Sequence, residues 1–126
     1  MRVQDLSAET VARMDQVDLA ALNAEPDSEI EVFDFHGCGV GVSAFRGRPP
    51  WEIHSGGDEL LLILAGQSRL TVLDADGGET VRELTAGQLV VVPQGHWHSN
   101  DAPAGVTMLW LTPASGNEHS WDAPPS

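Results

Sequence analysis

Residues 51–66 read WEIHSGGDELLLILAG. Side chains alternate along an extended chain, so Glu52 and His54 share a face if 51–54 is a strand. Gly56 and Gly57 then allow a turn, and Glu59 opens a second extended run. That run, 60–64, is apolar on both faces. Such a strand is either sandwiched between two layers or covered on its outer face by another chain. If 51–54 is a strand, the stretch reads strand, turn and strand, with an imidazole and carboxylates brought to one side.

Outward from it, the chain keeps the texture of strands. Runs at 29–35, 38–46, 59–65, 67–73, 79–84, 89–93 and 105–112 are predicted strands, separated by turn signals at His36-Gly37, Asp76-Gly77-Gly78, Ala86-Gly87 and Gly105. Asp76-Gly77 between two alternating runs marks a hairpin. Seven short strands with no helices between them indicate an all-β sandwich or barrel. Only 7–22 differs: Val11, Met14, Val17, Leu19 and Leu22 suggest one or two short helices, with Ser7 as N-cap. The organisation expected is a helical extension over 1–28, a barrel over 29–113 and a Pro/Ser/Gly-rich tail over 114–126 that lies on the surface or frays.

Composition excludes several partners. The 126 residues carry 19 acidic against 6 basic side chains, a net charge of -13. All the basic residues are Arg, and only Arg46 and Arg48 lie close in sequence. Nucleic acid and anionic membrane surfaces, which need clustered cations, are not expected partners. The longest aliphatic run, 60–65, falls far short of the ~20 residues of a membrane span. Residues 1–25 lack the apolar stretch of a secretory leader, and the lone Cys38 has no internal disulfide partner. Both features point to the cytoplasm.

The five histidines stand at 36, 54, 96, 98 and 119. Glu52 and His54 on one strand, Glu59 returning after the turn, and a histidine of the His96-Trp97-His98 segment could converge on one point. A mixed imidazole and carboxylate set suits Zn, Fe, Mn, Ni or Cu better than Ca or Mg. His36 fits a turn, His96 the barrel mouth or a turn, and His119 an exposed tail. Asp58 is expected to cap a turn, and Cys38 to be a small core residue. Trp51 should point away from Glu52 and His54, while Trp110 and Met108 share strand parity.

Two segments together resemble the signature motifs of the cupin superfamily. The first motif is G-x5-H-x-H-x3-4-E-x6-G; His54, Glu59 and Gly66 match it, Glu52 stands at the first histidine, and Gly47 lies one residue closer. The second is G-x5-P-x-G-x2-H-x3-N; Gly87, Pro93, Gly95 and His98 match it, and Ala102 replaces the final asparagine, with Asn100 nearby. The resemblance spans about 47–100 and implies a jelly-roll β-barrel. It also implies a divalent transition metal (Mn, Fe, Zn or Ni) held by Glu52, His54, Glu59 and His98. The family usually offers three histidines and one glutamate.

Small-molecule chemistry in the barrel mouth follows from the resemblance: an oxygenase, isomerase or epimerase, cyclase or lyase, with Glu52 or Glu59 transferring a proton. The alternative is a non-catalytic module that binds or senses a small molecule, with a degenerate metal site. A homodimer is the implied assembly. Because ligands bind metal deprotonated, an unperturbed imidazole near ~6.5 would place loss of metal around pH ~5–6.

Overall fold

The computed structural model describes residues 1–22 and 25–122. Its frame is two long strands, β5 (Glu59–Leu73) and β8 (His98–Pro113), which run antiparallel from the Leu60/Leu111 pair to the Val72/His98 pair. The ladder shifts register between Ile63 and Ala65 and again between Gly66 and Arg69. Gly66 sits there at φ +76°, and a Cβ on it would collide with the carbonyl oxygen of Gly105. Only glycine takes that backbone and that close approach together. The strands expected at 59–65 and 67–73 are thus one strand, bent rather than interrupted.

The bend lets one strand serve two sheets. Residues 59–62 of β5 pair with β7 (Leu89–Val92), and 67–73 pair with β6 (Glu79–Thr85) across the Asp76-Gly77 hairpin. The other side of β8 pairs with β3 (Cys38–Gly47), which carries β2 (Phe33–Phe35) antiparallel and β1 (Val17–Asp18) parallel. The start of β8 pairs with β4 (Trp51–His54), and β4 pairs with β9 (Asn117–Ser120). Inward side chains of the two sheets, among them Phe45, Leu61, Ile63, Leu70, Val92, Val106 and Met108, form the core. Burying each large apolar side chain is worth about 1.5–3 kcal/mol.

The N-terminal segment covers part of the outer face. Val40, Val42 and Ala44 point opposite to Ser43 and Phe45, yet all five are buried. Val42 donates its N–H to Ser28 Oγ (3.0 Å) and its carbonyl accepts from Glu29 N–H (2.6 Å). Residues 29–32 are held against β3 in this way instead of forming the strand expected from Glu29, and pairing starts only at Phe33. The short helices are two, α1 (Ala8–Ala12) and α2 (Leu19–Leu22), separated by β1. Ser7 caps α1 by accepting from Thr10 N–H, and Val11 is buried. No helix among the described residues is long and apolar enough to cross a membrane.

The tail holds more structure than its composition announces. Residues 117–120 form β9, in register with β4 through the Glu52/His119 and His54/Asn117 pairs. This pairing depends on a free edge of β4, more than sixty residues away in sequence, so no local pattern signals it.

Candidate metal centre

Two strand starts and one strand face meet at one end of the barrel. Glu52 and His54 project from the same face of β4, Glu59 is the first residue of β5, and His98 is the first residue of β8 and the register partner of Glu52. One donor atom from each lies within 4.8 Å of all the others. His54 Nε2 is 3.1 Å from Glu59 Oε2 and 3.4 Å from Glu52 Oε2. His98 Nε2 is 3.2 Å from Glu59 Oε1 and 3.9 Å from Glu52 Oε2. An ion about 2.1 Å from each donor would hold neighbouring donors roughly 3.0–3.4 Å apart. The observed spacings fall close to that range, so the four residues fit a divalent ion.

The hydrogen-bond pattern favours that use. His54 Nδ1 meets Asn117 Oδ1 at 2.9 Å, and His98 Nδ1 meets the carbonyl of His96 at 3.1 Å. Each acceptor takes the Nδ1 proton, which assigns the tautomer and turns Nε2 toward the cluster. His98 Nε2 bonds to Glu59 Oε1, but His54 Nε2 is buried with no aligned hydrogen-bond partner despite its two carboxylate neighbours. A buried nitrogen left in this state is costly unless something else satisfies it. Glu59 is fixed from behind by Thr112, whose hydroxyl donates to Oε2 at 2.6 Å.

Electrostatics follow from burial and proximity. Burial disfavours a charged His54, but the carboxylates of Glu52 and Glu59 close to Nε2, with Asn117 at Nδ1, outweigh it and raise its pKa to about 10. Burial would likewise raise Glu59, but His54 and His98 beside it lower it to about 2. Without a metal, the cluster is a carboxylate held against a protonated imidazole.

The other histidines separate clearly. His96 donates from Nδ1 to the carbonyl of Leu73 (2.8 Å), apart from the cluster. His36 occupies the β2–β3 turn at φ +52°. His119 is exposed, as expected of the tail, and also reaches the mouth: its Nε2 is 3.0 Å from Glu25 Oε1 and 3.6 Å from Glu52 Oε1. Burial and the charge of Glu52 push the Glu25 carboxyl up, against the pull of His119. Asp58 accepts from Gln94 N–H at 2.8 Å and so caps the turn before His96. Asn117, Thr112 and Glu25 were not foreseen as site residues. They carry no motif: Asn117 and Thr112 arrive through strand pairings distant in sequence, and Glu25 from the segment before β2.

A cavity of about 360 Å³ opens from the cluster toward the mouth. Phe45, Leu61, Met108 and Trp110 wall it on the barrel side, and Pro49 and Pro50 are among the residues lining it. Trp51 faces elsewhere, beneath the guanidinium of Arg48 at 5.8 Å from its ring centroid.

A family profile described as "Cupin domain" matches residues 44–112. No curated protein matches the chain. Among solved structures, a cupin-2 domain containing protein from Shewanella frigidimarina superposes with TM-score 0.64 at 17% identity, covering 88% of this chain and 94% of its own. A Neisseria meningitidis protein gives 0.61 at 19% identity, covering 88% and 98%. Hydroquinone 1,2-dioxygenase, solved with Cd2+ and 4-hydroxybenzonitrile, gives 0.59 at 20% identity, covering 76% and 69%.

Proposed function

We propose that this chain, which belongs to the cupin domain family, is a small enzyme whose four-residue cluster holds a divalent transition metal beside a small-molecule substrate. The observation that carries the reading is the convergence of Glu52, His54, Glu59 and His98, with one buried imidazole nitrogen unsatisfied, at the inner end of a cavity. The metal-bearing dioxygenase of the same fold supports it. An ion held there, Mn, Fe, Zn or Ni, would supply Lewis-acid polarisation of a substrate oxygen or, if redox-active, chemistry with dioxygen.

The remaining work falls to the protein. Glu59 is buried, ionised and fixed by Thr112, which suits a permanent ligand. Glu52 is the more exposed carboxylate, at 27%. Its Oε2 faces the cluster while Oε1 faces His119. A proton taken from substrate at Glu52 can be accepted by His119 Nε2 and, because that same nitrogen also faces Glu25, released to Glu25 at the surface when the ring turns toward it. That path makes Glu52 the general base of the pair. The apolar wall lowers the polarity around the reacting end, which strengthens each polar contact there. Oxygenation, isomerisation, epimerisation, cyclisation and lyase chemistry all fit this arrangement.

Elemental analysis of untagged protein tests the reading, with His54→Ala and Glu52→Gln alongside. The expected result is near-stoichiometric metal in the wild type, lost in His54→Ala. Protein that takes up none of Mn, Fe, Ni or Zn would overturn it and leave a metal-free binding or sensing barrel.

We also propose a homodimer formed through the outer face of β5 and β7. Leu89 and Val91 are 57% and 50% exposed there, beside half-buried Leu62 and Leu60, their register partners. Light scattering that gives a monomer mass would overturn this.

A further inference from the structure

The cavity lining holds no arginine or lysine: the chain has no Lys, and none of its six Arg lines the cavity. Each is engaged elsewhere among the described residues. Arg13, Arg46 and Arg69 pair with Glu9, Asp18 and Glu83. Arg2 and Arg48 lie over Phe33 and Trp51, and Arg82 donates to the Val81 carbonyl. At the rim, His119 faces Glu25. Against this stand three carboxylates on the lining: Glu25, Glu52 and Glu59. Two of them balance a divalent ion, so the loaded site has no spare positive charge to receive an anion. Moving an anion from water into such an apolar, carboxylate-lined space is unfavourable twice, through desolvation and through repulsion.

The wall has a defined shape as well. The Trp110 indole lies against β3 over Gly41, where a Cβ would collide with its six-membered ring. Its Nε1–H donates to Ser43 Oγ at 2.9 Å. A glycine seat and a hydrogen bond therefore fix a flat aromatic surface on the cavity wall. The Ser43 hydroxyl keeps its own proton to donate. Asn100, also on the lining, accepts from Ser68 Oγ at 2.9 Å and has its amide NH2 free to donate. These are donors for a neutral oxygen, not cations for a carboxylate. The volume, about 360 Å³, exceeds the ~150 Å³ of an apolar cavity that holds benzene, so one substituted ring fits.

We infer that the cavity takes an uncharged molecule built on a single ring that stacks on Trp110 and carries an oxygen substituent, and that it rejects small carboxylates. This rests on the reading of the cavity as a substrate chamber and deepens it by naming the charge and shape of the substrate.

Benzyl alcohol and benzoate share a ring and differ in charge, and oxalate tests a small dianion. Each probe is titrated into metal-free and Zn(II)-loaded protein, with binding read by calorimetry and by saturation transfer to the ligand. The expected order in both forms is benzyl alcohol at least about tenfold tighter than benzoate, with oxalate unbound. Trp110→Ala should weaken benzyl alcohol about tenfold, and Trp110→Phe, which keeps a ring and guards against a folding artefact, by about threefold or less. Equal or tighter binding of benzoate or oxalate overturns the inference. So does failure of all probes to bind, or indifference to both Trp110 variants in folded protein. Metal content of the same samples separates the two readings. Metal uptake with a preference for anions sinks this inference alone, whereas benzyl alcohol binding without metal uptake sinks the metalloenzyme alone.

Discussion

The His54 proton gives the sharpest test of the site's electrostatics. In the metal-free protein Glu52 and Glu59 overcome the effect of burial and raise the His54 pKa to about 10. At pH 8 such a group is about 99% protonated, whereas an unperturbed imidazole near ~6.5 would be about 3% protonated. A metal takes Nε2 only from the neutral ring, so loading at pH 8 must displace close to one proton per ion from His54. Calorimetric metal titrations in buffers of different ionisation enthalpy count that proton. Apparent affinity should climb about tenfold per pH unit from pH ~7 to ~9, instead of levelling above ~6.5. The loss of metal expected near pH ~5–6 from the sequence is thereby extended to much higher pH. NMR titration of the metal-free protein reads the same pKa directly. A His54 midpoint near 6.5, or no proton released at pH 8, would refute the account. The sign for folding is the opposite. A pKa raised in the folded state contributes stability that is complete below about 6.5 and lost as pH rises toward 10. Glu59, lowered to about 2, contributes stability present above its ordinary value near 4.5 and lost as pH falls toward 2. The metal-free protein should therefore weaken in alkali, where metal binding is strongest.

Other perturbations follow from single contacts. Asn117→Leu removes the acceptor for His54 Nδ1 and should lower metal affinity about 10–100-fold with little change in fold, measured by competition with a chelating dye. Thr112→Val deletes the 2.6 Å bond to Glu59 and should weaken metal binding in the same assay, leaving far-UV circular dichroism unchanged. Gly66→Ala forces a side chain into a positive-φ position against Gly105 and should destabilise by more than ~1–2 kcal/mol in urea, the refuting result being an unchanged midpoint. Val91→Asp on the half-exposed face of β7 should abolish the proposed dimer, giving a monomer mass by light scattering while metal content persists.

The barrel was legible where its determinants are local. Alternation and glycine turns marked β3 through β7, and the spacing of two motifs marked His54, Glu59 and His98. The illegible parts are the non-local ones. The start of β8, 98–104, looks like a continuation of a turn because its partners Arg69 to Val72 lie some thirty residues back. β9 offers four polar residues in a tail, and only the free edge of β4 makes them a strand. His119 is exposed as read, and its register opposite Glu52, which sets it beside the cluster, was not legible for the same reason. The bend at Gly66 split β5 in the sequence because a glycine at positive φ ordinarily ends a strand, whereas here the β8 ladder carries the chain through.

Glu52 joins these strands of reasoning. A histidine at its position would give a divalent ion one carboxylate and leave net positive charge, the natural receiver for an anionic substrate. Glutamate removes that charge and extends a second oxygen toward His119 and Glu25 at the mouth. The same replacement thus closes the cavity to anions and opens a route for a proton. The walls agree with it: all six arginines are engaged outside the cavity, and the largest lining side chain, Trp110, is fixed as an apolar plane. Had the site evolved for carboxylates, an arginine among residues such as Ser43 or Asn100 would be the economical solution, and neither position carries one. Glu52→His in otherwise unchanged protein separates the two contributions. It should retain metal, narrow the preference for benzyl alcohol over benzoate, and leave the contact of His119 with Glu25 in place. An unchanged preference would show that the apolar wall, and not the charge of Glu52, sets the selectivity.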